Sequence, residues 1–282
     1  MRALSGFIAL GVLFPSVAVA QASSTAPGPA SPFAVQRATT EDASDRGVSI
    51  AVGGSYATGD FGTATNTDIW TVPVVARVRA GGLRLSASLP WMSIRSDGTI
   101  FTGIDSTPLV VAPGIKSTRR RREGFGDLTL GAAYGLPTIG STGLDVELSA
   151  RVKLPTATAG SQLSTGKNDY AFGAQVSKAY GDLVPFVSGT YRIFGDSGPW
   201  DLRNGMAASV GASYVLPGRA TVIASYDYAR KASGFVSDSH EMFGGLSVPL
   251  GRSPLRLTAF GTVGLSRSAP DASGGLSVTA SF

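Results

Sequence analysis

Leu144-Asp145-Val146-Glu147-Leu148-Ser149-Ala150-Arg151-Val152-Lys153-Leu154-Pro155 alternates without a break. Leu144, Val146, Leu148, Ala150, Val152 and Leu154 are apolar, and the five residues between them are polar. A period of two sends successive side chains to opposite faces of a β-strand. Such a strand suits a soluble sandwich whose polar face meets water. It suits equally a barrel whose apolar face meets lipid and whose polar face lines a wet lumen. The number of similar strands and the loops between them separate the two.

Working outward, the same pattern recurs from Gly47 to the last residue. Trp70, Val72, Val74, Ala76 and Val78 alternate with Thr71, Pro73, Val75, Arg77 and Arg79. Comparable stretches begin near Val48, Leu83, Leu128, Tyr170, Leu183, Met206, Val222, Met242, Leu255 and Leu276. With the opening segment they make about twelve strands. Short connections (80–82, 137–143, 180–182, 216–219 and 250–254) alternate with longer polar ones (58–67, 97–123, 159–168, 195–204, 231–240 and 266–273). A sandwich has no reason to alternate its loop lengths, whereas a membrane barrel has short turns at one end and long loops at the other. Aromatic residues on the apolar parity, such as Tyr56, Trp70, Tyr170 and Tyr191 at one end and Tyr134, Tyr214 and Phe282 at the other, fit girdles at two lipid boundaries. The expected fold is all-β: a transmembrane antiparallel up-and-down β-barrel over 47–282.

Composition agrees. Of 282 residues 43% are hydrophobic and only 15% charged, with 37 glycines, yet no internal run approaches the roughly 18 apolar residues of a membrane helix. The lack of cysteine removes disulfides, thiolate catalysis and cysteine-based zinc sites. Met1-Arg2, an apolar core from Ala3 to Phe14 and Ala18-Val19-Ala20 read as a signal peptide over 1–20. Residues 21–46, rich in Ala, Ser, Thr and Pro, read as a disordered periplasmic tail, with a plug folded into the lumen as the alternative. Both ends of the barrel domain are expected in the periplasm of a bacterium with an outer membrane.

The terminal Gly275-Leu276-Ser277-Val278-Thr279-Ala280-Ser281-Phe282 resembles the signature by which outer-membrane barrels are recognised for assembly, which makes Phe282 the contact to the assembly machinery. A second resemblance lies within 124–196. Gly124-Phe125-Gly126-Asp127, Lys153-Leu154-Pro155-Thr156, Ser164-Thr165-Gly166 before Asn168-Asp169-Tyr170, and Gly189-Thr190-Tyr191 before Gly195-Asp196 follow one another in order. This pattern resembles the outer-membrane transporter family called "MetA-pathway of phenol degradation", with Ala157 standing where that family favours Gly. The resemblance implies an outer-membrane barrel taking up small aromatic or apolar molecules.

Catalytic chemistry finds no support in the sequence. Gly124-x-Gly126 has neither a third glycine nor a following helix, so it fails as a nucleotide loop. His240, the single histidine, reads as a solvated loop residue rather than the base of a hydrolase or a metal ligand. No cofactor and no metal are expected. Arg119, Arg120, Arg121 and Arg122 close the longest outer loop, where lipopolysaccharide phosphates are the fitting partner and nucleic acid is not. The parity places Arg151, Lys153 and Arg192 inside the barrel, with Asp127, Asp169 and Asp227 as inward acids at similar height. These six are the expected pore-lining residues and set what passes. Inward Gly131, Gly173, Gly211 and Ser213 are expected to leave volume for water or a ligand. The expected function is a passive pore or uptake channel. The alternative is a non-conducting structural or adhesive barrel acting through its long loops.

Overall fold

A computed structural model describes residues 46–63, 65–112, 119–137, 142–195 and 202–282. The expected signal peptide and tail (1–45) lie outside the described residues. The strands are β1 (Arg46–Gly59), β2 (Thr67–Ala80), β3 (Leu83–Ser96), β4 (Thr99–Thr102), β5 (Pro108–Ala112), β6 (Arg120–Phe125), β7 (Leu128–Gly135) and β8 (Leu144–Leu154). They continue as β9 (Asp169–Lys178), β10 (Leu183–Ile193), β11 (Gly205–Val215), β12 (Thr221–Ala229), β13 (Ser239–Pro249), β14 (Leu255–Gly264) and β15 (Ala272–Ser281).

Every wall strand pairs antiparallel with its neighbours, β15 returns to β1, and β2–β3 completes the ring. β6 and β7 lie end to end along β3, so the two count as one stave and the closed barrel has twelve. Closure leaves no open edge around the twelve-stave ring, which is what a β-structure needs in hydrocarbon, while β6 pairs with β3 alone among the described strands. At the seam, the N–H of Val48 donates to the carbonyl of Phe282, and the N–H of Phe282 donates back to Val48.

The burial pattern is inside out relative to a soluble protein. Along β2 the apolar Trp70, Val72, Val74 and Val78 are exposed, while Thr71 and Arg77 are buried. The same inversion holds at Val52, Val210 and Leu276 outside against Ser55, Ser209 and Ser277 inside. An apolar belt of this extent meets lipid rather than water. Rings sit at its margins: Tyr56 and Trp70 lie 4.8 Å apart, and the hydroxyls of Tyr56 and Tyr228 donate to Asp68 and Asp238 on the long-loop side. At the short-turn end the Lys178 ammonium lies 5.2 Å from the Tyr180 ring centre.

Two expectations about the interior change. Residues 97–123 are not a simple outer loop. β4 and β5 form a hairpin that turns into the barrel mouth, and β6 extends the wall. The cause is apolar: Ile100 and Val110 of the hairpin pack in one cluster with Ile69, Met92 and Ile94 of the wall, all buried. Ile104, Leu109 and Val111 pack in another with Ala171 and Phe194. The second change concerns the inward glycines. Phe186 reaches across Gly211, where an added Cβ would come within 2.8 Å of its ring, and Phe260 likewise covers Gly275 at 2.6 Å. With Ile223 and Phe243 these two rings form an interior cluster on β10, β12, β13 and β14. The small residues make room for large neighbours here instead of leaving open volume.

Candidate functional site

The site grows from the strand that opened the reading. β8 sends Arg151 and Lys153 inward, and both are buried. The Lys153 ammonium lies 2.9 Å from Asp169 of β9 and 3.1 Å from Asp127, and it donates to the Thr102 carbonyl at 3.2 Å. The Thr165 hydroxyl lies 3.4 Å away, so two carboxylates and two further oxygens surround the ammonium, the condition under which a buried charge is tolerated. Arg151 makes an ion pair with Asp105 at 3.0 Å, with both side chains almost wholly buried. Asp105 sits at the tip of the hairpin with φ 61 and ψ 26, and Ser106 follows with φ 57. Two successive left-handed residues are uncommon outside glycine, and here they turn the chain so that the carboxylate meets the wall.

The stretches at 124–127, 153–156, 164–170 and 195 are thus one lock. Asp127 accepts from the Ala157 N–H and the Ser164 hydroxyl. The Thr156 hydroxyl accepts from the Leu128 N–H, and the Thr158 hydroxyl accepts from the Phe125 N–H. Gly124 has φ 146, and an added Cβ would meet Thr158 at 2.8 Å. Asp169 accepts from the Gly195 N–H. Ala157 takes part through its backbone, so a side chain in place of hydrogen changes nothing in this contact.

Of the six residues expected to line the lumen, Lys153, Asp127 and Asp169 form one node. Arg151 and Arg192 share the field of Asp105 beside it. Asp227 stands apart: on β12 it accepts from the hydroxyls of Ser209 and Ser225, three strands away from β9. Asp105 escaped sequence reasoning because its place depends on a loop folding inward. The apolar Ile100, Phe101 and Ile104 and the run Leu109-Val110-Val111, in a stretch expected to be a solvated loop, were the available signal.

Arg120, Arg121 and Arg122 lie on β6 rather than in a loop, with Arg119 just before it. Arg119 pairs with Asp68 at 3.0 Å, Arg121 with Glu123 at 2.8 Å, and Arg122 donates to Ser96 and the Gly98 carbonyl. Arg120 is exposed. His240 is likewise on a strand, at the first turn of β13, with its Nδ1 2.6 Å from the Tyr226 hydroxyl. Ser239 turns the other way and donates to Glu241. Parity therefore sends Ser239 and His240 to opposite sides of the wall, and they form no nucleophile–base pair.

No protein-family profile matches the chain, and no curated protein does. Among solved structures, the chain is similar to the COG4313 outer membrane channel from Pseudomonas putida F1, at TM-score 0.63 and 13% identity over 86% of this chain and 97% of that one. It also matches the KdgM porin (TM-score 0.48, 13% identity, 82% and 99% covered). A further match is the CymD monoaromatic hydrocarbon channel (TM-score 0.47, 11% identity, 92% and 95% covered). At these identities the likeness is one of fold.

Proposed function

We propose that the protein is an outer-membrane barrel acting as a passive uptake channel for small molecules. The observation that carries this reading is the inverted wall: an apolar exterior around a buried interior of charged and hydroxyl side chains, narrowed by an inward hairpin rather than packed throughout with hydrocarbon. The fold shared with an outer membrane channel supports the reading. So does the resemblance of 124–196 to the "MetA-pathway of phenol degradation" family, of whose motif residues Asp127, Lys153, Ser164, Asp169 and Gly195 meet at the lock. Small apolar or aromatic permeants follow from that resemblance.

In this reading the long loops face outward and Arg46 and Phe282 face the periplasm. The exposed Phe282 is then available to the assembly machinery, and Arg120 and Arg121 are placed for lipopolysaccharide phosphates. The test is reconstitution. Unboiled protein should migrate differently from boiled protein in detergent gels, because a closed hydrogen-bonded wall resists unfolding. The same preparation should give small, discrete conductance steps in planar bilayers. A folded barrel that shows no conductance and no solute flux would defeat the channel and favour the structural or adhesive alternative.

A further inference from the structure

A cleft opens at the long-loop end between the inward hairpin and the wall. Its cavity volume is about 50 Å³, and it opens to solvent at the long-loop end. Phe61, Leu109, Phe194 and Val236 line it, and the first three are buried, so the apolar walls are already formed. Among the described residues its charged lining is cationic: Arg192, with Arg230 and Lys231 beyond it. Arg230 is exposed, so the charge at the opening is within reach of a solute.

Arg192 is the unusual member. It is 4% exposed, yet its Nε and Nη2 have no hydrogen-bond partner among the described residues. Buried guanidinium groups normally use their donors, and leaving them unused costs free energy. The neighbouring carboxylates do not fill the role. Asp105 and Glu241 act on Arg192 through space, yet neither accepts a hydrogen bond from its Nε or Nη2; Asp105 is ion-paired with Arg151, and Glu241 accepts from Ser239. Asp238, beside Lys231, already accepts from the Lys231 N–H and the Tyr228 hydroxyl.

We propose that this cleft is a binding site for a small monocarboxylate with an apolar, ring-sized body, its carboxylate taken by Arg192 and its body by Phe61, Phe194 and Leu109. A planar carboxylate matches the guanidinium fork, and the apolar walls strengthen the pairing by excluding water. Arg230 and Lys231 draw the anion toward the opening. The inference deepens the channel reading by naming a permeant class, and it rests on that reading only for the purpose of the site.

Benzoate and its near-isostere benzamide test it, using the full chain in detergent and titration calorimetry. Wild-type protein should bind benzoate about tenfold or more tightly than benzamide, as expected when a charge-assisted pair is made in a dry site. Arg192→Met should remove that preference, and so should Val236→Glu, which sets a like charge against the ligand from a half-buried position beside Phe61. Equal binding of the two probes by the wild type would overturn the site. So would a benzoate preference that survives in a folded Arg192→Met protein, since it would then come from the outer cations alone. If Arg192→Met fails to assemble, Val236→Glu decides: unchanged preference refutes the site. Bilayer conductance in potassium chloride is recorded separately. Its absence with intact benzoate binding removes the channel and keeps the site, and the reverse result removes the site alone.

Discussion

Leu148→Arg is expected to block assembly of the barrel, while Ser149→Arg is expected to be tolerated. Leu148 is 48% exposed on the apolar belt, halfway along β8. An arginine near the bilayer midplane on the lipid face costs roughly 2–4 kcal/mol, several times the effect of an ordinary surface substitution. Ser149 turns inward and is half-buried. Its side chain leaves β8 between those of Glu147 and Arg151 on the same face. A new cation there stands between two neutralised pairs, Glu147 with Arg84 and Arg151 with Asp105, in polar surroundings, so its electrostatic cost is smaller than on the lipid face. The comparison is made by refolding both variants into liposomes and reading the fraction with altered mobility before boiling. Urea titration of the folded fraction then gives the difference in stability. Equal folding of the two would mean that the wall is not inverted and that the apolar belt does not face lipid.

What the sequence made legible was whatever depends on period two. Strand number, loop alternation and the side taken by Leu148, Ser149, Arg151 and Lys153 all follow from parity, because a one-residue error would turn every side chain to the wrong face. The convergence of Asp127, Lys153 and Asp169 was legible in part, since they lie on adjacent staves. The interior was less so. Phe186, Phe243 and Phe260 sit on the polar parity, and only their neighbours across the sheet explain them: Gly211 under Phe186 and Gly275 under Phe260. Nothing local announces such pairs. Asp105 and the hairpin were hidden for a different reason. Parity says nothing about where a loop goes, and residues 99–112 enter the barrel because Ile100, Ile104 and Leu109 find apolar partners there. Asp227 shows the limit from the other side: an inward acid of the expected parity, but held by two serines away from the cluster.

Lys153→Met should have the largest effect of any single interior change, and it should act on the hairpin as well as on the wall. Methionine matches the lysine stem in volume, so the change removes charge and donors without opening a cavity. It leaves Asp127 and Asp169 buried, at 5% and 0% exposure, without the ammonium they share. Breaking a buried ion pair from one side costs about 3–5 kcal/mol. It also cuts the direct bond from the wall to the Thr102 carbonyl, leaving the hairpin held by its apolar contacts, by Arg151–Asp105, by the Thr102 N–H and hydroxyl donating to the Leu163 carbonyl, and by the Ser233 hydroxyl donating to the Val110 carbonyl. The expected result is a lower urea midpoint, faster proteolytic cleavage between 97 and 119 in assembled protein, and larger conductance steps. Adding Asp127→Asn and Asp169→Asn to Lys153→Met removes the stranded charges, so the midpoint should largely recover. The hairpin would still lack its tie, so cleavage and conductance should stay raised. That separation distinguishes a clamp from a group that merely keeps the interior wet. If Lys153→Met leaves midpoint, cleavage and conductance unchanged, the lock does not hold the hairpin, and the narrowing of the mouth has another cause.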